Sequence, residues 1–255
     1  MDFPDPVLEA RRLVDAAGRI VVLAGAGIST DSGIPDFRGP QGLWTKNPAA
    51  ERAAHIDVYV SDPEVRKQAW RSRLEMLGVQ RRPNPGHMAL VHLERRGKLQ
   101  LLVTQNVDGL HHAAGNDPDL VVEVHGNVRE AVCLSCGRRK LMLEVLERVK
   151  AGEEDPRCPE CGGILKSATV SFGQPLDPDH LRRAHEAART CDLMMAVGTS
   201  LTVFPICEIV PLAAAHGAAV VIVNGEPTPY DDIADVVVRG SLSETLPVIV
   251  GSARL

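Results

Sequence analysis

Six short apolar runs punctuate this chain, at residues 19–24, 99–103, 120–124, 193–197, 219–223 and 235–238, and most are separated by stretches with apolar positions at helical spacing. Runs that are apolar throughout read as strands covered on both faces. Their alternation with helices predicts an α/β fold, a Rossmann-like doubly wound parallel sheet. Composition agrees: 44% of residues are hydrophobic but only 3% aromatic, which suits strands rich in Val, Leu and Ala better than an aromatic-rich sandwich. Ligands of such sheets sit beyond the carboxyl ends of the strands. Five of the runs end in Gly25-Ala26-Gly27, Thr104-Gln105-Asn106, His125-Gly126, Gly198-Thr199-Ser200 and Asn224-Gly225-Glu226, so five strand ends are expected at one cleft.

Two stretches break the alternation: residues 41–85, which read as short helices and loops, and residues 127–167, which carry two cysteine pairs. The expected division is a larger domain over 1–40, 86–126 and 168–255, with a helical insertion (41–85) and a zinc-binding insertion (127–167) forming a smaller lobe. No linker rich in Gly, Ser or Pro joins them, so the lobes are expected to pack tightly around a cleft. A net charge of −5 argues against a dedicated nucleic-acid binder. The start, MDFPDPVLEARR, lacks the basic region of a signal peptide, and no apolar run approaches the roughly 18 residues of a membrane span. A cytoplasmic protein without a membrane partner is expected.

Cys133-Leu-Ser-Cys136 and Cys158-Pro-Glu-Cys161 are separated by 21 residues. Four thiolates at this spacing suit one tetrahedral zinc, and four protein ligands leave no position for water, so the metal should be structural. Cys191 and Cys207 lie in apolar stretches and read as small buried residues.

The turn Gly25-Ala26-Gly27-Ile28-Ser29-Thr30 follows a strand, where glycines let backbone N–H groups approach a pyrophosphate. The third glycine of the usual dinucleotide fingerprint is missing, and an ordinary strand-to-helix turn is the alternative. The continuation, Asp31 to Gly39, is a chemically rich loop that offers Arg38 as a cation for phosphate and Phe37 as an aromatic lid, with Ile34 and Asp36 between. The cluster Thr104-Gln105-Asn106-Val107-Asp108-Gly109 offers groups for ribose hydroxyls and a carboxamide, unless Asn106 or Asp108 merely caps a helix. His111 and His112 fall in what reads as a first helical turn and are taken as structural. His125 ends an apolar strand at the cleft, where an imidazole of ordinary pKa about 6.5 can accept a proton near neutrality. It is the candidate general base.

The strings GAGISTDSGIPDFRG, TQNVDGLHHAAG, HG at 125, the two Cys-x-x-Cys pairs, GTSL and VNGE, in that order, resemble the sirtuins of bacterial type along nearly the whole chain. The resemblance implies NAD-dependent removal of acyl groups from protein lysines, most simply acetyl, with release of nicotinamide and transfer of the acyl group to ADP-ribose. It makes the larger domain the NAD-binding one and the zinc structural. It assigns His125 as base, Asn106 to ribose and water, and Asp108 and Val107, with Ile34 and Phe37, to nicotinamide. Ala26, Ser29 and Arg38 fall to diphosphate or ribose, and Ser200, Asn224 and Glu226 to the adenosine half. Gly25, Gly27, Asp36, Gln105, Gly198, Thr199 and Gly225 complete the expected cofactor contacts.

An acyl-lysine peptide is implied as an added strand against Val170, Phe172 and Gly173. The chain departs from the family at Gln174, where Glu is common. Trp70 and Arg73 stand where sirtuins favouring acidic acyl chains carry Tyr-x-x-Arg, and Arg73 reads most simply as a solvated helix residue. Three rivals share part of the pattern. A zinc-bearing NAD(P) dehydrogenase would need an acidic residue at the end of a second strand soon after Gly27 to grip the adenosine ribose, and none sits there. ADP-ribosyl transfer to protein needs a different nucleophile, and a non-catalytic NAD sensor has no use for Asn106, Asp108 and His125 together.

Overall fold

Each apolar run becomes a strand, and their ends converge. The computed structural model describes residues 5–39, 42–76, 79 and 81–252. Nine strands are present among the described residues: β1 (Ile20–Ala24), β2 (Leu99–Thr104), β3 (Val121–Glu123), β4 (Gly126–Cys133), β5 (Arg139–Leu141), β6 (Leu165–Thr169), β7 (Leu193–Val197), β8 (Ala219–Val223) and β9 (Val236–Val238). Six form a parallel sheet in the order β3-β2-β1-β7-β8-β9. Every residue of β1 and β7 is buried, as a central strand covered on both faces requires. One face carries the helices Pro6–Ala16, Pro85–Arg95 and Leu242–Ile249, and the other Pro178–Thr190 and Ile209–Ala215. Cys191 and Cys207 are buried in the second layer, as expected.

Three strands are shorter than their apolar stretches: β1 by Arg19, and β3 and β9 each with a local contact at its start. Leu120 belongs to a 3₁₀ turn whose cap, Asp117, accepts from Asp119 N. Asp235 precedes β9 and accepts from Val220 N at 2.8 Å, bracing β8 from the side. Along the sheet, strand order reverses direction between β1 and β7, and a crevice opens at such a switch point.

A second sheet, β5-β4-β6, is antiparallel. Its core packs Trp70, from the helix Pro63–Met76, against Cys133, Met142, Val145, Leu146, Cys158 and Leu165. The insertion helices are also tied to the cysteine-bearing segment by charge. Arg66 donates from Nε and Nη2 to Asp155 at 2.9–3.1 Å, and from Nη1 to the carbonyls of Tyr59 and Val60. Arg73 corrects the expectation of a solvated residue. It lies one turn beyond Trp70 with its guanidinium turned inward against β6, where Nε is out of reach of water and Nη2 donates to Ser167 Oγ at 2.6 Å.

Removing one member of a buried, hydrogen-bonded ion pair strands the other charge. Asp155→Ala should therefore lower stability by about 3 kcal/mol, the lower end of the range for such deletions because Arg66 keeps two carbonyl partners. An unchanged urea midpoint would show that the pair does not hold the lobe together.

Candidate active site

At the switch point the backbones of two loops touch. Gly27 N donates to Gly198 O at 2.8 Å, and Gly25 N to Val197 O at 2.9 Å. A Cβ on Gly25 would stand 2.6 Å from Gly198 O, and one on Gly27 would stand 2.7 Å from Gly198 Cα. Only glycine fits either position. The turn continues into a 3₁₀ helix, Ala26–Ser32, ended by Gly33 in the left-handed region at φ 77°.

From this turn a cavity of about 800 Å³ runs between the two sheets. It is lined by Gly25, Ala26, Gly27, Ser29, Ile34, Asp36, Phe37, Arg38, Gln105, Asn106, Val107, Asp108, His125, Gly198, Thr199, Ser200, Asn224 and Glu226, and by Val170, Phe172 and Gly173. Of the residues expected there, Gly225 alone is not in the wall, although both its neighbours are.

The Thr104–Gly109 cluster is held by a network that crosses the sheet. Asn106 Nδ2 donates to Gly25 O at 3.1 Å and to Ser29 Oγ at 3.2 Å, and Ser29 Oγ donates to Asp108 Oδ2 at 2.7 Å. Gln105 Nε2 donates to Thr199 Oγ1 at 2.9 Å. The other Asp108 oxygen accepts from Leu110 N at 2.9 Å, but the cap position of that helix is Gly109, so the plain helix-cap alternative does not account for Asp108. One carboxylate serves Ser29 and Leu110, because each oxygen takes its own donor.

Behind Ser29, His87 Nε2 lies 3.5 Å from Ser29 Oγ, and the His87 ring lies 5.0 Å from that of His111, tilted against it. Burial pushes the His87 imidazole down to about 4 and that of His111 to about 3, so both are neutral at physiological pH. His111 is thus a buried packing residue, and His112 lies 3.6 Å from Glu123.

His125 sits where the two sheets join. Its carbonyl accepts from Val170 N at 2.8 Å, and the next residue, Gly126, adopts φ 72° so closely against β6 that a Cβ would strike the Ala168 carbonyl. Nδ1 lies 3.0 Å from Gln105 O. A carbonyl can only accept, so Nδ1 carries the proton and Nε2 is left as the basic nitrogen. Burial lowers the imidazole's pKa, and the bond to Gln105 opposes that shift.

The outer wall is a run of touching rings. Phe37 lies 4.6 Å from Trp44, Trp44 5.5 Å from Phe172, and Phe172 5.2 Å from His55. Arg38 rests 4.5 Å from the Trp44 ring centroid and 3.9 Å from Glu51, rather than on the glycine turn. At the inner end the wall is made by Tyr59, Ala69, Arg73, Lys166 and Thr169, none of which was expected as a site residue. Lys166 was legible in part, as a charge inside the apolar stretch Ile164-Leu165-Lys166-Ser167-Ala168. Burial, reinforced by Arg73, pushes its amine down to about 7. Tyr59 donates to Leu165 O at 2.9 Å, and burial raises its phenol to about 12.

The four cysteines converge. Cys133 Sγ lies 3.5 Å from Cys161 Sγ, and Cys136 Sγ 3.8 Å from Cys158 Sγ; all four sulfurs fall within 4.8 Å of one another. Thiolates about 2.3 Å from a tetrahedral zinc stand about 3.8 Å apart, so this set fits the ion. Cys133 and Cys158 are buried in the lobe's core and Cys136 and Cys161 are exposed.

Residues 25–205 match the model of the Sir2 family. The chain is 48% identical over 231 residues to NAD-dependent protein deacetylase 2 of Streptomyces coelicolor, covering 91% of this chain and 96% of that one. It is 43% identical over 242 residues to the NAD-dependent protein deacetylase of Rhodopseudomonas palustris, covering 94% of each. Among solved structures, a Sir2 enzyme at 40% identity superposes with a TM-score of 0.88 over 98% of both chains. Sir2 with a p53 peptide and NAD+, at 34% identity, gives 0.83 over 96% of this chain and 97% of that one.

The sulfur geometry predicts one zinc per chain. Cys158→Ser should lose the metal and lower the melting temperature, because the ligand is also part of the lobe's core. Metal analysis beside a thermal melt checks it: a variant that keeps its zinc and its melting point would contradict the structural role.

Proposed function

The chain belongs to the Sir2 family, and on that premise we infer that it is an NAD-dependent protein-lysine deacylase, releasing nicotinamide, lysine and O-acyl-ADP-ribose. The observation that carries this is His125, whose Nδ1 proton is committed to Gln105 O while its ring lines the cavity shared by the glycine turn and residues 170–173.

The residues present fit NAD. Bare glycine backbone at the switch point allows the close approach that a pyrophosphate needs, and the polar groups of Asn106, Ser29 and Asp108 converge beside it. We assign Ala26, Ser29 and Arg38 to the diphosphate and its ribose, with Ser200, Asn224 and Glu226 toward the adenosine half. Asp108, Val107, Ile34 and Phe37 would hold the nicotinamide. When bound, NAD supplies a glycosidic carbon that accepts the acyl oxygen, with nicotinamide as the leaving group. His125 Nε2 takes the proton from a ribose hydroxyl, Asn106 orients that ribose and the water, and the apolar wall of Ile34, Phe37 and Val107 excludes bulk water. The acyl-lysine peptide lies beside Val170, Phe172 and Gly173.

The zinc site stands apart from this chemistry, with four protein ligands and no open position. Its part is to hold β4 and β6, from which the lobe's wall of the cavity is built.

His125→Ala should reduce kcat/KM by about 10²–10⁴-fold on an acetyl-lysine peptide while the fold is kept, since it removes a base and no strand. The sign of the pH dependence is set by burial. A lowered pKa keeps the imidazole neutral to more acidic pH than usual, so activity should persist through the ordinary histidine range and fall only below it. Mass spectrometry of wild type should show nicotinamide and O-acetyl-ADP-ribose in equal amounts. Nicotinamide without the acyl product would overturn the reading in favour of ADP-ribosyl transfer or simple NAD hydrolysis.

A further inference from the structure

The loop that follows β8 brings Asn224 and Glu226 into the cavity wall, yet its tip has little packed against it. Gly225, Glu226 and Pro227 are exposed, and a Cβ on Gly225 would meet nothing within 4 Å. The shape of this loop therefore rests on polar contacts. Asn224 Nδ2 donates to Glu226 O at 2.8 Å, and Thr228 Oγ1 donates to Asp231 Oδ1 at 2.7 Å. Each of these bonds is local and fixes only its own turn.

One side chain joins the two turns. Arg239, the first residue after β9, donates from Nη1 to Asn224 O at 2.9 Å and from Nη2 to Asp231 Oδ2. β9 runs parallel to β8, and Asn224 N donates to Val238 O at 3.1 Å, so Arg239 starts beside the loop's first residue and reaches across to Asp231. A planar fork suits this task, because its N–H groups keep a fixed relation while one meets a carbonyl and another a carboxylate. Asp231 closes the ring by accepting from Thr228 and Arg239 on separate oxygens. Arg239 itself is not part of the cavity wall.

The Arg239 and Asp231 side chains are 37% and 23% exposed, and a salt bridge so open to water adds little to global stability. What it removes is freedom between Asn224 and Asp231. A loop ordered before its ligand arrives binds that ligand more tightly, because the ordering no longer opposes binding.

We propose that Arg239 is a positioning residue for the adenosine half of NAD, holding Asn224 and Glu226 in place without itself touching the nucleotide. The inference rests on the assignment of those two residues to the adenosine half, and deepens it. Asp231 then has a defined part as well: it keeps the guanidinium on the loop and away from the phosphates that an arginine would otherwise bind.

The test titrates ADP-ribose, which has the adenosine half but no nicotinamide, into the full chain by calorimetry, with a thermal melt beside it. Arg239→Met should weaken ADP-ribose about tenfold, as expected for loss of hydrogen bonds made by a charged group, with the melting temperature little changed. Asp231→Asn should weaken it in the same direction, and the double variant should be no worse than Arg239→Met alone, because one contact cannot be lost twice. In turnover the loss should fall on KM for NAD and not on KM for the acetyl-lysine peptide. Tighter ADP-ribose binding by Asp231→Asn would overturn the proposal, since a released guanidinium would then be serving phosphate directly. Equal affinity in wild type and Arg239→Met would overturn it too, and leave the NAD reading standing. So would an Arg239→Met protein that melts well below wild type and loses the acetyl-lysine peptide along with ADP-ribose, which is the mark of a general structural role. If wild type does not bind ADP-ribose, the assignment of Asn224 and Glu226 fails and this inference with it.

Discussion

Everything in the cavity is referred to the backbone contact between the Gly25–Gly27 turn and Gly198. β1 and β7 are neighbours in the sheet, yet the chain leaves their carboxyl ends in opposite directions, and the space so opened is where a ligand can lie. The two loops close the base of that space with hydrogen bonds rather than side chains, because a Cβ at either glycine would meet Gly198 at well under contact distance. The same contact places Gly25 O where Asn106 can reach it, and Asn106 in turn holds Ser29. The polar network of the site is therefore a consequence of how closely two glycine backbones approach.

The second lobe depends on a different constraint, the joint at His125. Its carbonyl is bonded to Val170 N, its ring to Gln105 O, and Gly126 must turn through the left-handed region to enter β4. The candidate base thus sits on the line where two sheets meet, and the register of β4 against β6 sets its direction. Zinc reaches the cavity through packing. Cys133 and Cys158 share a core with Trp70, and Trp70 belongs to the helix on which Arg73 faces the pocket. The core that the metal would hold is therefore the one that carries the inner wall.

The large sheet and its strand ends were legible because the runs are predominantly apolar and three of them stop directly at Gly25, Gly198 or Asn224, a pattern that solvent-facing segments do not sustain. The cysteine cluster was legible from spacing alone. Arg73 was not, because a helix segment such as Glu64-Val65-Arg66-Lys67-Gln68-Ala69-Trp70-Arg71-Ser72-Arg73 shows mixed charge with no clear polar face. Of its cations, Arg66 is buried, Arg73 is half-buried with its guanidinium inward, and Arg71 is exposed; only tertiary contacts separate them. Tyr59 escaped notice for the same reason, since the carbonyl it meets comes from β6, more than 100 residues away in the chain. Local pattern reports which face of an element is apolar; it does not report which polar residue a distant strand will cover.

The two ends of the cavity differ in charge by construction. Around the glycine turn, burial keeps His87 and His111 neutral, and Asp108 is satisfied by a hydroxyl and a backbone N–H rather than by a cation. At the inner end, the charged groups of Arg73 and Lys166 meet neutral partners only. The cavity therefore carries a carboxylate near the switch point and the side chains of Arg73 and Lys166 beneath β6.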